Sequence, residues 1–159
     1  MNKATKMAAL GSAVVMVFGL AACGDDGDDA SGDEGGGASV SVVLTSYTVE
    51  EPDPISVDAG SLEIVAKNQD DSTHELVIVK GDDPALLPVD EYGGVIEDDL
   101  PEDDLIGEIP LVFPGTEESA SFDLDAGSYI LFCNILAPSA PPQNHFGGGD
   151  GMVNTFTVT

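Results

Sequence analysis

Positive charge is nearly missing from this chain: its 159 residues hold four Lys and Arg together against 30 Asp and Glu. Lys3 and Lys6 lie within the first 22 residues, which contain no acidic residue, so the rest carries Lys67 and Lys80 alone and a balance of −28 before the histidines. Such a charge repels nucleic acid and anionic lipid headgroups, and excludes them as partners. A basic partner or a high-salt surrounding suits it. Tryptophan is absent, and there are two cysteines and two histidines. So few histidines argue against an enzyme, and no local protease signature surrounds Cys133. Long hydrophobic runs are lacking as well. The apolar stretch "MAALGSAVVMVFGL" (7–20) is shorter than the roughly 20 residues a membrane-spanning helix needs.

What is present at the N-terminus reads as an export signal. A basic start, a short apolar run and small residues before a cut describe a secretory leader over residues 1–22. Leu20-Ala21-Ala22-Cys23 resembles a bacterial lipoprotein lipobox. The resemblance implies cleavage before Cys23, a diacylglyceryl group on its sulfur, and an extracytoplasmic place in the cell envelope with the membrane reached through the lipid. A cleaved, unlipidated signal is the alternative. Residues 23–38 follow, running "GDDGDDASGDEGGGA" after Cys23; they are too polar to bury a core and read as a flexible tether. Their spacing fails the EF-hand calcium pattern. If Cys23 carries lipid, Cys133 is a lone thiol in an oxidising compartment, to be sealed in a core, paired between chains or held by a metal.

Residues 39–159 have the pattern of an all-β domain. Short runs rich in strand formers occur at 40–49, 61–68, 73–80, 119–125, 128–135 and 152–159, with Gly, Pro and Asp turns between them. No helical period stands out, although 84–106 has room for a short turn. The acidic run 96–109, "IEDDLPEDDLIGEI", contains Pro101 and reads as a solvated loop. Many short strands in about 120 residues argue for a β-sandwich.

The residues with metal chemistry are few. His74 opens the apolar run "HELVIVK", Cys133 lies in "YILFCNI", and His145 and Met152 follow in "PPQNHFGGGDGM". Singly each has an ordinary role: a strand end, a core residue, a loop residue, a gap-filler. Together, one thiolate, two imidazoles and a thioether on a β-sandwich are the ligand set of a blue-copper site, a His₂Cys plane with a weak axial Met.

The order His…Cys…His…Met, with the last three near the C-terminus, resembles the cupredoxin family, as do "HELVIV", "PG" at 114–115, "DAGSYILFCNI" and "GM…FTV". The likeness is to small bacterial cupredoxin-like and sulfocyanin-like domains. It implies a Greek-key β-sandwich holding one type 1 copper through His74, Cys133, His145 and Met152, and an electron-transfer protein cycling Cu(I) and Cu(II) with redox partner proteins. It also implies that Glu75 and Asn134, the residues after the first His and the Cys, hydrogen-bond to tie the two ligand strands; as ordinary strand polar residues they would not. An apolar ring around His145 would come from Ala137, Pro138, Ala140, Pro141, Pro142 and Phe146. One departure stands out: eleven residues separate Cys133 from His145, more than the family usually has. The insert includes Pro138, Pro141 and Pro142, and glycines at 147–149 and 151 allow a tight wrap behind it. A copper carrier, or a cupredoxin-like binding module without metal, is the rival reading.

Overall fold

The computed structural model describes residues 38–54 and 56–159; the leader, Cys23 and residues 24–37 lie outside the described residues. Eleven strands occur among them: β1 (Ala38–Thr45), β2 (Thr48–Val49), β3 (Ser56–Val57), β4 (Gly60–Asn68), β5 (His74–Lys80), β6 (Leu105–Val112), β7 (Glu117–Leu124), β8 (Gly127–Phe132), β9 (Leu136–Ala137), β10 (Gln143–Asn144) and β11 (Val153–Val158). They form a four-stranded sheet, β2-β1-β4-β7, and a five-stranded sheet, β3-β11-β8-β5-β6, with β9 and β10 as a small hairpin. The chain passes between the sheets from β4 to β5, from β6 to β7 and from β7 to β8, the Greek-key pattern of a sandwich. No described helix is long and apolar enough to cross a membrane.

Side-chain alternation decides which face of each strand is buried. In β1, Val40, Val42 and Leu44 are buried; in β4, Leu62, Ile64 and Ala66 are. These meet Leu76 and Ile78 of β5 and Tyr129 and Leu131 of β8 in the core between the sheets. The central strands β5 and β8 are covered on both faces. Their other parity, Val77, Val79, Ile130 and Phe132, forms a second core with Val95 and Phe146 from the long connections. This explains why β5 and β8 read as nearly continuous apolar runs.

Three expectations need correction. The run 96–109 is not all solvated loop: a 3-10 turn at Glu97–Asp99 leads to β6, which begins at Leu105, and Ile109 is buried. β6 is an edge strand beside β5, broken by two register shifts, so its apolar positions do not keep a clean period of two. Strand β8 ends at Phe132, leaving Cys133 just past the ladder rather than inside it. Phe146 does not belong to an exposed ring around His145. It is fully buried, with its ring 5.1 Å from that of Phe132. Full burial of such a side chain is worth about 1.5–3 kcal/mol, which fastens the segment after the proline-rich insert onto the outer face of the sheet.

Candidate metal centre

One end of the five-stranded sheet collects the start of β5, the end of β8 and the start of β11, and there the candidate residues meet. His74 is the first residue of β5 and is fully buried. Its place is set by the turn before it. Asn68, itself buried, donates from Nδ2 to the carbonyls of Ser72 (2.7 Å) and Val112 (2.8 Å) and accepts the Asp70 N–H at 2.8 Å. Asp70 then accepts from His74 Nε2 at 2.8 Å. With Nε2 carrying the proton, the Nδ1 lone pair of His74 is free and faces the site.

Cys133, fully buried, donates its N–H to the Met152 carbonyl at 3.1 Å. The chain then makes the β9–β10 excursion and returns through Asn144. The Asn144 amide donates to the Asn134 carbonyl (2.7 Å), its Oδ1 accepts the Phe146 N–H (2.9 Å), and its own N–H donates to the Tyr92 carbonyl (2.9 Å). The His145 N–H donates to the Ile135 carbonyl at 2.9 Å, and the His145 carbonyl accepts the Met152 N–H at 2.7 Å. These backbone bonds link Cys133, Met152 and His145 in series. Residues Gly147, Gly148 and Gly149 all have positive φ (62°, 71° and 100°), and a Cβ at Gly151 would collide with the His145 carbonyl. The tight wrap behind His145 therefore needs glycine.

The donor atoms converge. Cys133 Sγ lies 3.7 Å from His74 Nδ1 and 3.4 Å from His145 Nδ1, and the two Nδ1 atoms are 3.2 Å apart. A point equidistant from all three lies about 2.0 Å from each. For comparison, zinc–imidazole bonds are about 2.0–2.1 Å and zinc–thiolate bonds about 2.3 Å. The triangle thus has the size of a coordination plane. Met152 is buried, and its backbone is hydrogen-bonded to both Cys133 and His145. The donor set, two imidazoles and a thiol with a thioether alongside, fits one type 1 copper site.

Glu75 and Asn134 are joined: the Asn134 N–H donates to Glu75 Oε1 at 3.0 Å. The Asn134 side chain reaches further, donating to the Val95 carbonyl and to Glu97 Oε1, each at 3.0 Å, and accepting the Val95 N–H at 2.8 Å. The residue after the cysteine thus ties β5, the Val95 loop and, through its carbonyl, Asn144.

Protonation follows from burial. The Cys133 thiol is pushed up to about 11 by burial, with the Glu75 carboxylate adding to the shift and the backbone N–H groups of Glu75 and Ile135 opposing it. Burial, then the neighbouring His74, lowers His145, so its imidazole is neutral and able to ligate. Burial raises Glu75 against the Asn134 N–H, with Glu108 and Glu97 adding to it. Hydrogen bonds from the Ser72 and Ser46 hydroxyls, then from His74 and the Asp71 N–H, outweigh burial and hold Asp70 well below the usual carboxylate range.

His145 differs from its companions in exposure. It is half-buried and lines a groove of about 820 Å³ that also includes Asp71, Tyr92, Asp150 and Pro142. Sequence reasoning missed Asp70, Asn68 and Asn144. "NQDDSTH" and "PPQNH" carry ordinary turn residues, and nothing in them distinguishes a structural amide from a solvated one.

No family model matches the chain, and no curated protein does. Solved structures do. Auracyanin from the photosynthetic bacterium Roseiflexus castenholzii, in its dithionite-reduced form, is similar at a TM-score of 0.54 and 22% identity, over 79% of this chain and 99% of that one. Auracyanin B is similar at 0.51 and 18%, over 77% and 88%. An azurin from Methylomonas sp. strain J is similar at 0.51 and 17%, over 77% and 98%. These are cupredoxins, and the likeness establishes the cupredoxin β-sandwich as the fold of this chain.

Proposed function

We propose that this chain with the cupredoxin fold is a type 1 copper electron-transfer protein, exported and anchored to a membrane through lipid on Cys23. The observation that carries the copper reading is the convergence of His74 Nδ1, His145 Nδ1 and Cys133 Sγ, all within 4.8 Å of one another at one end of the sandwich. When bound, copper would supply a one-electron couple, Cu(II) to Cu(I). The protein's part is to hold the donors still. His74 is fixed by Asp70, His145 by Asn144 and the Ile135 carbonyl, and Cys133 by Met152 and the Asn134–Glu75 tie. The thiol gives up its proton on ligation, and the buried surround of His74 and Cys133 excludes water. Met152, buried and tied by its backbone to Cys133 and His145, would add a thioether as a further, weak donor. A carrier needs no substrate pocket at the donors, and the groove instead reaches the half-buried His145. Asp71, Glu91 and Asp150 on its lining favour a redox partner with a basic face.

The test is copper(II) added to the metal-free protein. One equivalent should bind and produce the intense visible absorption of thiolate-to-copper charge transfer, and Cys133→Ser should abolish it. A wild-type protein that stays colourless while binding Cu(I) refutes electron transfer in favour of a carrier. Export rests on the signal pattern of residues 1–22, and anchoring on the lipobox resemblance at Cys23. Cys23→Ala should move the protein from the membrane to the soluble fraction with its domain intact, and retention through a high-salt wash refutes the anchor.

A further inference from the structure

The carboxylate of Asp70 sits behind His74 with unusual support. Its Oδ1 accepts from the Ser46 hydroxyl and the Asp71 N–H, each at 2.7 Å. Its Oδ2 accepts from the Ser72 hydroxyl at 2.6 Å and from His74 Nε2 at 2.8 Å. The side chain is 6% exposed, and among the described residues no lysine pairs with it. Asn68 locks the turn that presents it. A full negative charge is therefore held by fixed donors at the edge of the groove that His145 also lines, one imidazole width from the triangle of donor atoms. An ordinary way to seat a buried histidine is a backbone carbonyl, which carries no charge; here the acceptor is an anion.

We propose that Asp70 is a positioning residue that sets the redox preference of the metal centre, holding His74 with its proton on Nε2 and favouring the more highly charged state of the bound ion. The inference rests on the copper reading and goes beyond it. A fixed anion this close stabilises a doubly charged ion more than a singly charged one. Hydrogen bonding from the imidazole to a carboxylate also makes the opposite nitrogen a stronger donor. Both effects favour Cu(II) over Cu(I) and lower the potential.

The test uses the full chain and Asp70→Asn, whose amide oxygen can still accept from His74 and Ser72 in the Oδ2 place, while its NH₂ group in the Oδ1 place donates to a rotated Ser46 hydroxyl and leaves the Asp71 N–H without its acceptor. The ratio of Cu(II) to Cu(I) affinity should fall about tenfold, read as a rise in potential of about 59 mV for a one-electron couple. Ser46→Ala strips one donor from the carboxylate, makes it a stronger acceptor, and should shift the potential downward; a merely loosened site would not give shifts of opposite sign. In the metal-free protein, ¹⁵N NMR should find His74 protonated on Nε2. A change below about 18 mV in Asp70→Asn, a twofold effect, overturns the inference even if copper binds normally. So does an upward shift in Ser46→Ala, or a proton on His74 Nδ1 in the metal-free wild type. A wild-type chain that takes up no copper overturns the copper reading, and this inference with it.

Discussion

Replacing Asn144 by alanine tests how the long excursion after Cys133 returns its histidine to the site. The side chain makes two hydrogen bonds, to the Asn134 carbonyl at 2.7 Å and from the Phe146 N–H at 2.9 Å. Each is worth about 0.5–1.5 kcal/mol net, and a buried group left unpaired costs about 1–3 kcal/mol. The Asn134 carbonyl is only partly shielded, so water relieves some of its cost, whereas the Phe146 N–H is buried, and the expected loss is about 2–3 kcal/mol. Urea unfolding of the metal-free protein should show it as a lower midpoint with an unchanged slope. The loss belongs to the return segment, so hydrogen exchange at the Phe146 and His145 amides should quicken by roughly a hundredfold more than at β5 or β8. Asn144→Asp keeps the acceptor for Phe146 but turns a carboxylate oxygen toward the Asn134 carbonyl, and should destabilise at least as much as alanine. A loss below about 0.5 kcal/mol, with unchanged exchange at Phe146, would mean that burial of the phenyl ring alone holds the segment, and the reasoning fails.

Copper(II) uptake at pH 7 should release close to one proton per site from the Cys133 thiol, which burial pushes up to about 11, while burial keeps the His145 imidazole neutral before it ligates. The apparent affinity should therefore rise about tenfold per pH unit between roughly pH 7 and 10, the sign expected when metal displaces a proton; titration in weak buffer with a pH electrode checks it, and a pH-independent affinity contradicts it. Gly151→Ala should unseat the wrap behind His145, since a Cβ there meets the His145 carbonyl and lies 2.9 Å from that of Phe146. Copper absorption should weaken while far-ultraviolet circular dichroism keeps the sandwich signature, and a normal copper spectrum in this variant would show that the segment relaxes freely.

Much of this protein is legible along the chain because the governing signals are local. Alternation in "SVSVVL" and "SLEIVAKN" announces one-faced strands, and the unbroken apolar runs of "HELVIVK" and "YILFCNI" announce strands covered on both sides. The same short words carry His74 and Cys133, each at a strand end, and parity alone puts Cys133 on the face of Tyr129 and Leu131, which turn into the core between the sheets. Other features have no local signal. Strand β6 hides behind a proline, four aspartates and two register shifts, because an edge strand need bury only one side. Phe146 reads as loop until the outer face of the sheet is there to receive it. Asp70 is one acid among many, and what distinguishes it is the meeting of four donors from residues 46, 71, 72 and 74. Residue types and strand period determined the candidate ligand set and the sandwich. Tertiary structure decided the three distances that make the set a site, because hydrogen bonds between residues as far apart as Glu75 and Asn134 exist only once the sheet has brought them together.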